Sequence, residues 1–127
     1  MTKTLLIAED EAGIRSLVRM TLTRADYEIL EAEDGPAALA LAREHRPRMI
    51  LLDVGMPGMN GFEVCKALKA DPATKDIVIV MLTAMAQESD QKRGVESGAD
   101  GYLMKPFSPL ALLKKVDETF EGLSADE

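Results

Sequence analysis

Cysteine occurs once, at Cys65, and histidine once, at His45, so the chain has no internal disulfide and no soft-ligand set for zinc or iron. A reducing compartment suits it. No apolar stretch approaches 18 residues, and the opening Met1-Thr2-Lys3-Thr4 leads into a short apolar run without the hydrophobic region of a signal peptide. The basic residues gather in no stripe. Fifteen Lys and Arg against twenty-two Asp and Glu leave a formal charge of −7, which argues against direct binding to nucleic acid or to an acidic membrane. A glycine-rich nucleotide fingerprint, a Walker A sequence, low-complexity tracts and a Pro/Ser linker are missing as well. The expectation is a soluble cytoplasmic protein.

What is present is one domain's worth of ordinary globular sequence: 127 residues, 46% apolar and 29% charged. Five apolar runs recur, Leu5 to Ala8, Tyr27 to Leu30, Met49 to Leu52, Ile77 to Leu82 and Tyr102 to Met104. Four of them are too continuously apolar for a sheet with one wet face and predict a parallel sheet covered on both sides. The second, where Glu28, Glu31 and Glu33 interleave with Tyr27, Ile29 and Ala32, reads as an edge strand. Helical spacing fills the gaps. Ile14, Leu17, Val18 and Leu22 form one stripe over about Ala12 to Arg24; Ala38, Leu41 and Ala42 follow a capping Asp34 and Pro36. Phe62, Cys65 and Leu68 mark a third helix, stopped by Asp71-Pro72. A weak fourth is expected over about Glu88 to Ser97, with Gly94 inside it. A last helix is capped by Ser108, begins at Pro109 and carries Leu110, Leu113, Val116 and Phe120 as its expected buried stripe. Strand and helix alternating to the end is an α/β sandwich with right-handed crossovers.

Ligands meet such sheets at the carboxyl ends of the strands. The first run is followed there by Glu9 and Asp10, the third by Asp53, the fourth by Thr83 and the fifth by Lys105-Pro106. Taken singly each has a dull explanation, a helix N-terminus or a solvated turn; together at one sheet edge they make a site. Two like charges at 4 Å repel by roughly 4 kcal/mol at an effective dielectric near 20, so three clustered carboxylates call for a hard cation with oxygen ligands, and Mg2+ is the natural one. A divalent ion, an ammonium and a hydroxyl around a carboxylate are the parts that stabilise phosphoryl transfer onto it, with Asp53 the acceptor. His45, in a charged helix end, reads as solvated, and Cys65, on an apolar stripe, as a small core residue.

Glu9-Asp10, then Asp53 in Leu51-Leu52-Asp53-Val54-Gly55-Met56-Pro57-Gly58-Met59-Asn60-Gly61, then Thr83-Ala84, then Lys105-Pro106-Phe107 resembles a response-regulator receiver domain of the CheY-like type over about Lys3 to Phe120. The separations of 43, 30 and 22 residues between Asp10, Asp53, Thr83 and Lys105 fit as well. The resemblance implies a five-stranded parallel sheet of order 2-1-3-4-5, helices on both faces, and two-component signal transduction. It implies that Asp53 takes a phosphoryl group from a sensor histidine kinase or phosphotransfer protein. By the same resemblance Mg2+ is held by Asp10, Asp53 and the backbone carbonyl of Gly55, with Glu9 acting through a water. Thr83 and Lys105 then bind the phosphoryl oxygens, and Tyr102 is an aromatic switch coupled to Thr83. The surface of the expected Glu88 to Ser97 helix, the fifth strand and the last helix would signal to a downstream protein, with a phosphorylation-dependent dimer left open. Glu9 departs from the more usual Asp. Gly55 and Met85 offer no polar side chain where relatives guide a water to the acyl phosphate, so no special assistance to hydrolysis is expected.

Two rival readings differ in class. A haloacid-dehalogenase-type phosphatase needs a second acid two residues after its nucleophile, where this chain has Gly55. A constitutive interaction module without phosphorylation would not need five working site positions. The receiver is expected over residues 1–121, with 122–127 a short acidic tail. That tail carries neither linker nor DNA-binding helix pair, so a stand-alone regulator is favoured over a receiver cut from a longer chain.

Overall fold

All five apolar runs become strands. A computed structural model, describing residues 3–23, 27–56, 58–83 and 98–125, places β1 (Lys3–Ala8), β2 (Tyr27–Ala32), β3 (Met49–Asp53), β4 (Val78–Thr83) and β5 (Gly101–Met104) in one parallel sheet of order β2-β1-β3-β4-β5. Four helices are seen among the described residues: α1 (Ala12–Thr23), α2 (Gly35–His45), α3 (Gly61–Ala70) and α4 (Pro109–Ala125). The weak helix expected at Glu88 to Ser97, with Ala84 and Met85, lies outside them.

The period of two along each strand sorts the core into two halves. Leu6, Ile50, Leu52, Ile79 and Met81 pack with Ala38, Ala42, Phe62, Val64, Cys65 and Leu68 of α2 and α3. Leu5, Ile7, Leu51, Val80 and Leu82 pack on the other face with Val18, Leu22, Leu112 and Val116 of α1 and α4. Strands buried on both faces have no place for a charge until they end, which is why the continuous runs are so apolar. Each fully buried Leu or Ile contributes about 1.5–3 kcal/mol. Edge strand β2 mixes buried Tyr27, Ile29 and Ala32 with exposed Glu28 and Glu31, as expected of an edge.

Full cover fails at β5. Tyr102 and Leu103 are half-buried and Met104 is exposed, because β5 is the other edge of the sheet and among the described residues pairs only with β4. The last helix also turns differently from expectation. Among its described side chains Leu112 and Val116 are fully buried and Leu113 packs beside them, whereas Leu110 is 74% exposed. At 100° per residue Leu110 stands about 120° around the axis from the centre of that stripe. The side chain of Phe120 is outside the described part. The helix continues through Ala125, into the stretch expected as tail.

Caps fix where the helices begin. Asp34 accepts from the Ala37 amide at 2.8 Å with Pro36 in the first turn, and Ser108 accepts from the Ala111 amide at 3.1 Å. Asn60 forms a reciprocal capping box with Glu63, a signal readable in Asn60-x-x-Glu63 that the sequence analysis did not use. Gly61 beside it is required for closeness: a Cβ there would stand 2.4 Å from the Asp53 carbonyl oxygen. Gly61→Ala must therefore displace the end of β3, and we expect it to cost about 1–3 kcal/mol of stability. A urea midpoint equal to wild type would refute that.

Candidate functional site

Parallel register brings the polar residues to one end of the sheet. Ala8 pairs with Leu52, Asp53 with Leu82 and Thr83 with Met104. Glu9-Asp10, Asp53, Thr83 and Lys105 therefore leave the sheet side by side from β1, β3, β4 and β5. Main-chain bonds hold the ends in place: the Val54 amide donates to Leu82 O at 3.1 Å, the Gly61 amide to Val54 O at 3.0 Å, and the Lys105 amide to Thr83 O at 2.8 Å. The Lys105–Pro106 peptide is cis.

One carboxylate oxygen from each of Glu9, Asp10 and Asp53 lies within 4.8 Å of the others. Lys105 Nζ donates to Asp53 Oδ1 at 3.0 Å and also to Glu9 Oε1. Burial grades the cluster. Glu9 has no exposure, Asp53 and Thr83 are 6% and 5% exposed, and Asp10 faces solvent. The site thus has a buried floor at Glu9 and an open mouth at Asp10.

Two of the three carboxylates, those of Glu9 and Asp53, share the Lys105 ammonium, and the excess charge falls on the floor. Glu9 Oε2 is buried with no hydrogen-bond partner among the described residues. Burial, then the hydrogen bond and charge of Asp53, push the Glu9 carboxyl up to about 7, and Lys105 opposes this only in part. For Lys105 burial acts downward, but the hydrogen bonds and charges of Glu9 and Asp53 outweigh it, so the ammonium is held charged above its usual range. Both shifts run in the direction that burial of Glu9 and the crowding of carboxylates around Lys105 produce. Hard oxygen donors around an unpartnered buried oxygen fit a small divalent cation.

All the expected acidic and basic site residues meet here. Gly55 is exposed, and open space surrounds the position its Cβ would take. Tyr102 stands two strands from Asp53, half-buried against the core half formed by α2 and α3. His45 is solvent-exposed and Cys65 fully buried, as expected for bystanders. Sequence reasoning missed Arg15, whose Nη1 donates to the Glu9 carbonyl at 2.7 Å. Its only signal was an arginine in the first turn after the acidic pair.

A family described as the response regulator receiver domain matches residues 5–117. The chain is 46% identical over 114 residues to the phosphate regulon transcriptional regulatory protein PhoB of Pseudomonas aeruginosa, covering 90% of this chain and 50% of that protein. It is 45% identical to the response regulator PleD of Caulobacter vibrioides over 117 residues, covering 91% of this chain and 26% of PleD. Among solved structures, chemotaxis response regulator CheY4 of Vibrio cholerae superposes with a TM-score of 0.89 at 39% identity, over 93% of this chain and 98% of that one. The chain thus spans about half or less of the length of these two curated relatives. The family match runs from the first strand through most of the last helix and takes in every polar strand end described above: the chain belongs to the response regulator receiver domain family.

Proposed function

We propose that the chain is a phosphoacceptor switch and not an enzyme acting on a separate substrate. An Asp53 carboxylate oxygen attacks the phosphorus of a phosphohistidine on a sensor histidine kinase or phosphotransfer protein; the new P–O bond forms as the P–N bond breaks, and the imidazole leaves. The observation that carries this reading is Lys105 Nζ at 3.0 Å from Asp53 Oδ1 beside an unpartnered Glu9 oxygen, on a strand end too buried to be an ordinary surface carboxylate. Lys105 is already placed to bind a phosphoryl oxygen as Asp53 gives up its own charge, and the Thr83 hydroxyl stands on the neighbouring strand end as a further donor. Asp10, Asp53 and the Gly55 carbonyl would hold Mg2+, with Glu9 reaching it through a water. When bound, the ion supplies charge neutralisation for the incoming phosphoryl oxygens.

Phosphorylation then shifts the population of a surface made by Tyr102, β5 and α4, which a downstream protein reads. Among the described residues no helix is long and apolar enough to cross a membrane, and we place the chain in the cytoplasm. The phosphatase alternative is disfavoured by Gly55, and a phosphorylation-free module by the retention of the full donor and acceptor set.

The test is incubation with acetyl phosphate followed by intact-mass measurement. The expected result is one phosphoryl group per chain, released by hydroxylamine as an acyl phosphate is, and formed only with Mg2+ present. No uptake, or uptake indifferent to chelator, overturns the reading.

A further inference from the structure

Arg15 sits on α1 rather than at a strand end, yet its guanidinium is tied into the acidic loop. Its side chain is only 13% exposed, and three acceptors surround it. Nη2 lies 3.4 Å from Glu33 Oε1 and Nε 3.6 Å from Glu31 Oε1, both beyond ordinary hydrogen-bond strength, while Nη1 donates to the Glu9 carbonyl at 2.7 Å. The shortest bond of this cation therefore goes not to a carboxylate but to the peptide that joins Glu9 to Asp10. The other side of Glu9 is tied too, its amide donating to Ala32 O at 3.0 Å.

We propose that Arg15 is a positioning residue for divalent-cation binding, holding the Glu9–Asp10 peptide so that both carboxylates reach the Asp53 cluster; this rests on the Mg2+ site proposed above. A peptide is planar, so fixing the Glu9 carbonyl also fixes the nitrogen and Cα of Asp10. Asp10 is the exposed member of the cluster, with no burial of its own to orient it. Freed from Arg15, that residue samples other directions, and the ordering that Arg15 now supplies has to accompany every binding event. Groups that orient ligands in this way typically change metal affinity by about 10- to 100-fold when removed.

Charge alone predicts the opposite sign. Removing a cation from the neighbourhood of a divalent-ion site lowers repulsion and tightens binding. Positioning and electrostatics are thus separated by the direction of one measured change. Glu31 and Glu33 supply the control, since neutralising them loosens the salt bridges of Arg15 but leaves its bond to the Glu9 carbonyl.

The experiment is a calorimetric Mg2+ titration of wild type, Arg15→Met, Arg15→Gln, Arg15→Lys and Glu33→Gln. It is paired with amide hydrogen exchange at Asp10 and Glu11 in the magnesium-free proteins. Arg15→Met is expected to bind about tenfold more weakly and to exchange faster at Asp10. Arg15→Gln, too short to reach the carbonyl, behaves alike and serves if Arg15→Met does not fold. Arg15→Lys recovers part of the loss, and Glu33→Gln stays within about twofold of wild type. Wild type that takes up no Mg2+ overturns the site reading and the positioning role with it. Wild type that binds, with Arg15→Met or Arg15→Gln binding equally or more tightly, overturns the positioning role alone.

Discussion

Asp53→Asn takes up no phosphoryl group from acetyl phosphate, with a fall in rate of at least about 10³-fold, on the scale seen when a nucleophile is deleted from a covalent mechanism. The carboxamide keeps the shape of the side chain at the end of β3, so the loss is chemical. A neutral amide oxygen is a far poorer nucleophile, and if Oδ1 keeps accepting from Lys105 Nζ, as Asp53 Oδ1 does at 3.0 Å, the other position carries an amino group with no lone pair to attack with. The variant should fold at least as well as wild type in the absence of Mg2+, because one of three mutually repelling carboxylates is gone while Lys105 keeps its bond to Glu9. Normal folding with no mass gain is therefore the expected pair of results. Mass gain at the wild-type rate would move the acceptor elsewhere, and Asp10, the exposed carboxylate of the same cluster, would be the first place to look.

Much of this was legible because the sheet is parallel and buried. Burial on both faces forces β1, β3 and β4 to be unbroken apolar runs, so the first polar residue after each run marks its carboxyl end without ambiguity. The gathering of Glu9, Asp10, Asp53, Thr83 and Lys105 at one end of the sheet follows from their place in that pattern. Caps at Asp34 and Ser108 were readable for a similar reason, since a short polar side chain before a periodic stripe has one common use. Leu110 was misplaced because Leu110, Leu113 and Val116 are as regularly spaced as Leu112, Leu113 and Val116, and periodicity alone cannot say which side of a leucine-rich helix meets the sheet. β5 misled because a short apolar run looks the same at an edge as at the centre. Arg15 was invisible for a different reason. Its partner is a backbone carbonyl, and main-chain acceptors leave no mark in the residue pattern.

Glu9→Gln removes the pH dependence that burial imposes on the magnesium-free protein. The Glu9 carboxyl is raised from 4.5 to about 7 in the folded chain, so between those values the folded state binds a proton that the unfolded state has already lost. For a carboxyl raised in this way stability is greatest below about pH 4.5, declines as pH rises through the window to about 7, and levels off above it. At 1.36 kcal/mol per pH unit the shift corresponds to a loss on the order of 3 kcal/mol by pH 8. Gln has the same shape and no charge to bury, so Glu9→Gln should be more stable than wild type by that order at pH 8, and nearly equal to it near pH 4.5. Magnesium inverts the comparison. A ligand stabilises the fold in proportion to its affinity for it, and wild type at pH 8 offers the cation a full carboxylate whose Oε2 has no other hydrogen-bond partner among the described residues. Saturating Mg2+ should therefore raise the wild-type urea midpoint far more at pH 8 than at pH 5, and raise that of Glu9→Gln only slightly at either. Taking variant and wild type at each pH cancels the other titrating groups. A wild-type protein no less stable than Glu9→Gln at pH 8 without Mg2+ would mean that Glu9 already has the positive charge it needs from Lys105, and the case for a cation on the floor of the site would fail.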